Sequence, residues 1–73
     1  MEYKNEADLK REIGDLGGKI TYVSQDPYYE LEAHFTELSN DLVDQLQLLC
    51  EDTQWIVDLN WDNENGGVLF ERQ

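Results

Sequence analysis

Apolar residues recur along this chain at two spacings, and each spacing predicts a different element. Over residues 5–16 they recur three and four positions apart, as Leu9, Ile13 and Leu16, which predicts an amphipathic helix. Asn5 stands where a helix cap is expected, and Gly17-Gly18 supplies the glycine at which helices commonly end. The chain therefore begins with a short helix that has one apolar side.

A second apolar stripe predicts a second helix that runs to about residue 52, with Thr36 or Ser39 as its cap. Val43 and Cys50 flank this stripe, which consists of Leu38, Leu42, Leu46 and Leu49.

Strict alternation of apolar and polar residues predicts strands elsewhere. Residues 28–35 alternate with Tyr29, Leu31, Ala33 and Phe35 on one face, and residues 54–61 alternate with Trp55, Val57, Leu59 and Trp61 on one face. The β-branched and aromatic segment 19–24 predicts another strand, whose inward pair is either Ile20 and Tyr22 or Thr21 and Val23. Segment 25–27 predicts a turn. Asn65-Gly66 predicts a hairpin turn before a last strand over residues 68–71.

The resulting order is αββαββ within a single domain, 1–73. Two hairpins and two helices favour an α+β two-layer sandwich, a four-stranded antiparallel sheet with two helices on one face. The order of the strands within the sheet stays open, and its free edges leave open whether the chain is a monomer or a homodimer.

Charge changes this picture. The 73 residues include 17 acidic and 5 basic side chains, a formal net charge of -12, where small domains usually carry a magnitude of roughly 2–8. Four of the five basic residues lie within the first 19 positions, and segment 20–71 contains twelve carboxylates and no lysine or arginine. This balance disfavours direct binding to nucleic acid or to an anionic membrane, because both require cationic side chains.

Other classes are also disfavoured. No apolar run reaches the roughly 20 residues that span a bilayer, and the first residues lack the basic and apolar regions of a signal peptide. The lone Cys50 cannot form an internal disulfide, which favours a reducing cytoplasm.

The pattern of carboxylates indicates a partner-binding surface. Glu37, Asp41 and Asp44 follow helical spacing along one side of the second helix, with Glu51 one heptad later. Glu30, Glu32 and Asp58 are expected on the sheet face away from the helices, with Tyr28 as an anchor beside them. The predicted partner-binding residues are Tyr28, Glu30, Glu32, Glu37, Asp41, Asp44, Glu51 and Asp58. The alternative is a solvated, merely solubilising charged surface.

The sequence gives weaker indications of a catalytic site or a metal site. Glu32 and His34 share a strand face and could exchange a proton, but surface decoration is the more common role of such a pair. Asn60, Asp62, Glu64 and Glu71 approach the spacing of a calcium loop, yet the first position lacks Asp, the sixth lacks Gly, and the flanks are strands. We expect no enzyme activity, no cofactor and no metal.

These observations favour a small inhibitor that binds a basic nucleic-acid-binding protein and imitates nucleic acid with its carboxylates. In length, charge and αβ order the chain resembles the compact acidic proteins that bacteriophages use against host defences, such as anti-CRISPR, anti-restriction and uracil-glycosylase inhibitors. No motif is shared, so no family is assigned and no residue roles are carried over. The alternatives are an immunity or antitoxin-like protein that neutralises a basic nuclease, and a generic acidic interaction domain.

Overall fold

The computed structural model describes residues 2–25, 28–62 and 65–72, with the backbone alone for 60–62. Two helices and four strands follow one another: α1 Glu6–Asp15, β1 Lys19–Ser24, β2 Glu30–His34, α2 Asn40–Cys50, β3 Trp55–Asp62 and β4 Gly67–Arg72. The α+β order expected from the sequence is confirmed. The expected turn residues Asp26 and Pro27, and Asn63 and Glu64 of the expected hairpin loop, lie outside the described residues.

The four strands form one antiparallel sheet in the order β1-β2-β4-β3, so β2 and β4 are central while β1 and β3 are edges. Leu9 and Ile13 of α1, and Leu46 and Cys50 of α2, join one core cluster with the sheet. Both helices therefore pack on the same face, which we call the inner face. Among the described residues no helix is long and apolar enough to cross a membrane.

Side-chain caps fix where the helices begin. The Asn5 side chain accepts a hydrogen bond from the Asp8 backbone N–H at 2.8 Å, as expected at a helix N-terminus. At α2 the cap is Ser39, whose hydroxyl accepts from the Leu42 N–H at 3.2 Å. Thr36 is therefore not the cap.

The cap at Ser39 corrects the predicted acidic row. Because α2 begins at Asn40, Glu37 lies before the helix, and Glu51 is the residue that ends it. Only Asp41 and Asp44 remain on α2, so the expected row of four helical carboxylates is wrong. Helical spacing alone could not reveal where the helix starts.

A β-bulge at Thr21 settles which residues of β1 face inward. The register runs Ile20 opposite Ala33, skips Thr21, and resumes with Tyr22 opposite Glu32 and Val23 opposite Leu31. Ile20 and Val23 both pack against the core, whereas Tyr22 is exposed. The true inward pair thus combines one residue from each expected alternative, because the bulge shifts the alternation by one position.

The core follows the alternation expected for β2 and β3. Tyr29, Leu31, Ala33 and Phe35 are buried, and the Trp55 ring meets the Tyr29 ring edge-on at 5.3 Å between centroids. Val57 and Leu59 are half-buried against this core. The sequence also predicts that Trp61 points inward, but its side chain lies outside the described part of the chain.

The N-terminal segment attaches to the start of β3 in a way that the sequence did not suggest. The Lys4 carbonyl accepts hydrogen bonds from Trp55 Nε1 at 2.7 Å and Gln54 Nε2 at 2.6 Å. Lys4 Nζ donates to the Leu49 carbonyl near the end of α2 and forms an ion pair with Glu12, both at 2.7 Å. Lys4 thus joins the two helices and fixes the beginning of β3.

Candidate functional site

The strand register places carboxylates across the sheet face that points away from the helices, here called the outer face. Its side chains lie in transverse rows, because residues paired across antiparallel strands project to the same side. One row is Ser24, Glu30, Glu71 and Ile56; the next is Tyr22, Glu32, Leu69 and Asp58; a third includes Lys19, His34 and Gly67. Three of the predicted partner-binding carboxylates, Glu30, Glu32 and Asp58, therefore share this face.

Glu30 and Glu71 lie directly opposite each other on the two central strands. Neither side chain forms a hydrogen bond or ion pair with the described residues. Like charges in this arrangement are destabilising by roughly 0.2–1 kcal/mol. The fold therefore carries an electrostatic cost at the centre of the outer face. Alternation along the last strand could have placed Glu71 on this face, but only the register places it opposite Glu30.

Glu32 is held in a fixed position on the outer face. Its Oε1 accepts a hydrogen bond from Thr21 Oγ1 at 2.8 Å and lies 3.2 Å from His34 Nε2. Thr21 is the bulged residue of β1, so the bulge turns its hydroxyl towards this carboxylate. The expected Glu32–His34 contact is present, and it forms part of a local hydrogen-bond network.

Leu69 lies between Glu32 and Asp58 in the second row and is only 5% exposed, although it stands apart from the inner core. No described helix packs on this side of the sheet. Tyr22 and Ile56, by contrast, remain 57% and 44% exposed at the two edges. The outer face is thus an acidic surface with apolar residues at its edges.

The cations of the chain are mostly engaged by α1 and its surroundings. Lys10 pairs with Glu6 at 2.7 Å and Arg11 with Asp8 at 3.1 Å, while Lys4 pairs with Glu12. The Lys10 ammonium, with a smaller contribution from Tyr29, holds the pKa of the Glu6 carboxyl below its usual range.

Arg72 lies 5.0 Å above the Tyr29 ring, and burial, followed by the Glu6 carboxylate, raises the pKa of Tyr29. Residues 1–19 hold five acidic and four basic side chains, whereas residues 20–73 hold twelve acidic and one basic. Nearly all of the uncompensated charge therefore lies beyond the first helix.

The remaining predicted site residues are distributed over other surfaces. Asp41 and Asp44 are exposed on α2, which lies in the other layer of the fold, and Glu37 is exposed before that helix. Tyr28 is 71% exposed just before β2. The structure thus does not bring the eight predicted residues into one patch: it separates the outer face from α2.

An open groove lies between the C-terminal half of α2 and the edge strand β3, with a volume of about 730 Å³. Its apolar lining includes Leu48, which is 60% exposed, together with Ile56 and Val57. Asp44 and Glu51 add carboxylates to the lining. Sequence reasoning missed this groove because Leu48 falls outside the apolar stripe of α2 and Ile56 occupies an outward position of β3.

The remaining candidates for chemistry are the thiol of Cys50 and the possible metal ligands. Cys50 is 7% exposed, and burial raises the pKa of its thiol to about 11, which makes it a poor nucleophile at neutral pH. Among the described residues no three His, Cys, Asp or Glu side chains come together in a way that could hold a metal ion. The calcium-like spacing includes Glu64, which lies outside those residues.

Comparison of the chain with protein-family models, with curated proteins and with solved structures finds no match. The charge distribution and surface geometry of the chain itself are therefore the basis for inferring its function.

Proposed function

We propose that this protein is a small inhibitor that binds a basic nucleic-acid-handling protein and blocks its nucleic-acid site, with carboxylates in the places of phosphates. The observation that carries the proposal is the opposed pair Glu30 and Glu71 at the centre of the outer face. A surface selected for stability alone would place opposite charges, or a neutral residue, at such a position. A requirement for negative charge explains why this cost is retained.

The spacing of the outer-face carboxylates supports this proposal. Glu30 and Glu32 are separated by two residues of one strand, about 6.5–7 Å, and Glu71 lies about 5 Å across from Glu30. The separation along the strand is comparable with that of neighbouring phosphates in a nucleic-acid strand. The Thr21 and His34 contacts hold Glu32 in place, which reduces the entropy lost when a partner binds.

The charge distribution also supports a particular kind of association. An uncompensated acidic surface accelerates encounter with a basic groove, and this acceleration weakens as salt rises. Exposed Tyr22 and Ile56 at the edges of the outer face would add apolar contacts that make binding specific. Such an inhibitor performs no chemistry; it would act in the cytoplasm, where phage proteins of the anti-CRISPR, anti-restriction or glycosylase-inhibitor type meet their targets.

The proposal is tested with two double variants that remove the same charge from different surfaces. Glu30→Gln with Glu71→Gln neutralises the centre of the outer face. The α2 variant, Glu37→Gln with Asp41→Asn, removes the same charge just before and at the start of α2. Each immobilised protein is incubated with cell lysate at low salt and eluted with duplex DNA, and eluted proteins are identified by mass spectrometry. We expect one dominant basic nucleic-acid-binding protein, retained by the α2 variant and lost by the outer-face variant.

Circular dichroism of both variants is the control for intact folding, and we expect both spectra to match that of the unsubstituted protein. Retention of many basic proteins, reduced equally by the two variants, would show that bulk charge is responsible and would refute nucleic-acid mimicry by the outer face. Retention that neither DNA nor RNA displaces would refute occlusion of a nucleic-acid site.

A further inference from the structure

The two edges of the sheet differ in how they are protected against pairing. On β1 the bulge at Thr21 interrupts the ladder, and Lys19 places a charge at its start. Both features are known to block the addition of another strand. On β3 the pairing with β4 is regular from Trp55 to Asp58 and irregular beyond Asp58. The N-terminal segment lies beside the start of β3, where Glu2 bridges to Thr53, and no other strand of the described residues pairs along 55–58. Residues 55–58 of β3 therefore form the longer regular stretch of free edge among the described residues, and this stretch can accept a strand.

The groove lies directly beside this open edge. Residues 55–57 of β3 line it together with Leu48, so backbone and apolar surface are presented side by side. Leu48 and Ile56 are 60% and 44% exposed, and no described residue covers them. Contact of this aliphatic surface with water is unfavourable in free energy. An added strand would bury both residues and pair the free backbone groups of β3.

Charge selects the occupant. Asp44 and Glu51 line the groove, and Asp58 lies on the same edge strand. A second copy of this chain would bring the same carboxylates and a net charge of -12 to the contact, so it would be repelled. A segment with lysine or arginine would be attracted.

We propose that the β3 edge and its groove bind a short extended segment of the partner protein as a fifth strand, with lysine or arginine residues flanking an apolar residue. Main-chain hydrogen bonds to β3 provide affinity. The apolar residue is selected by contact with an exposed apolar side chain beside the edge, Leu48 on the helix side or Ile56 on the outer side. The regular stretch 55–58 matches about four residues of such a segment, roughly 13 Å. This inference rests on the proposed function in one respect, that the partner is basic.

The test uses a defined peptide instead of the unidentified partner. The probe is an acetylated and amidated octapeptide of alternating lysine and valine. The control is the same peptide N-methylated at every residue, which keeps its charge but loses the N–H donors of both strand edges. Affinity is measured by titration followed with amide NMR at low salt. We expect the unmodified peptide to bind at least tenfold more tightly and to slow amide exchange within residues 55–58.

Matched variants of the protein locate the site. Ile56→Lys and Tyr22→Lys each add one lysine at an exposed outward position of an edge strand, the first on β3 and the second on β1. We expect the first variant to weaken binding of the unmodified peptide at least tenfold and the second less than threefold.

Three results would overturn the inference. They are equal binding of the two peptides, equal effects of the two variants, or a dimer of the protein that protects residues 55–58 without peptide. If the outer-face variants still abolish capture of a basic nucleic-acid-binding protein, the proposed function survives while strand addition fails. If strand addition succeeds and no such protein is captured, the proposed function fails instead.

Discussion

Neutralising Glu71 should stabilise this protein, although it removes a charged group that is exposed to water. Glu71 lies opposite Glu30 on the central strands, and neither side chain forms an ion pair with a described residue. An opposed like-charge pair costs roughly 0.2–1 kcal/mol, so Glu71→Gln should raise the free energy of unfolding by about 0.5 kcal/mol. For a domain of this size that corresponds to an increase in Tm of roughly 2–4 °C.

Urea unfolding at low salt, followed by tryptophan fluorescence, measures this change. The gain should largely disappear in 1 M NaCl, because the Debye length falls from about 10 Å at 0.1 M salt to about 3 Å at 1 M. In a double-mutant cycle, Glu30→Gln and Glu71→Gln should each stabilise the protein, and the second substitution should add less than the first.

A matched control removes the same charge elsewhere. Asp41 lies in the first turn of α2, where a carboxylate interacts favourably with the helix dipole, so Asp41→Asn should lower stability by about 0.3–1 kcal/mol. The two variants therefore shift stability in opposite directions for an identical change in net charge. A shift in the same direction for both would show that total charge, and not the opposed pair, sets the electrostatic cost.

Two further predictions concern the backbone and the buried thiol. Gly66→Ala should destabilise the protein by more than 1 kcal/mol, because Gly66 has φ +75° and an added Cβ would collide with the Phe35 carbonyl oxygen. Gly14 lies within α1 with open space around it, so Gly14→Ala should raise the free energy of unfolding by about 0.5–1 kcal/mol. Urea unfolding of the two glycine variants measures both changes, and a stabilising Gly66→Ala or a destabilising Gly14→Ala would contradict this reasoning. Because burial raises the pKa of Cys50 from 9.0 to about 11, the folded state retains its proton, and stability should fall as pH rises from about 9 through 11. Thermal unfolding across that range should show a shallower fall for Cys50→Ala than for the original chain, and an equal fall would place the cause elsewhere.

The opposed pair connects stability with the proposed function. If Glu30 and Glu71 are retained for a basic partner, their replacement should improve folding and weaken partner binding in the same molecule. Such opposition is common at functional surfaces, where a residue that lowers stability is kept for its role in binding. Improved folding with unchanged capture would separate the two properties and remove the main support for nucleic-acid mimicry by the outer face.

Local patterns determined much of the fold. The spacing of Leu9 and Ile13 gave α1, and alternation correctly identified Leu31 and Ala33 of β2 as inward residues. These features follow from the 3.6-residue period of helices and the two-residue period of strands. Both periods can be recognised in the spacing of apolar residues along a sequence. The same alternation placed Glu30, Glu32 and Asp58 outward.

The start of α2 and the inward residues of β1 were not determined by local patterns, because they depend on a helix cap and a β-bulge that form in the folded chain. Ser39 rather than Thr36 caps α2 and leaves Glu37 outside the helix. Serine and threonine both cap helices, so residue type alone did not decide between them. The bulge at Thr21 places Ile20 and Val23 on one side, which strict alternation forbids.

The amino-acid sequence by itself determined the elements, the inner face and the excess of negative charge. Only the tertiary structure decided that Glu71 faces Glu30, that β3 is an open edge and that Leu48 and Ile56 share a groove. These relations join residues far apart along the chain, and strand order and register arise from packing the whole sheet against both helices. The spacing of apolar residues predicts the face to which a side chain points. Which residue lies beside that side chain on the neighbouring strand depends on the fold as a whole.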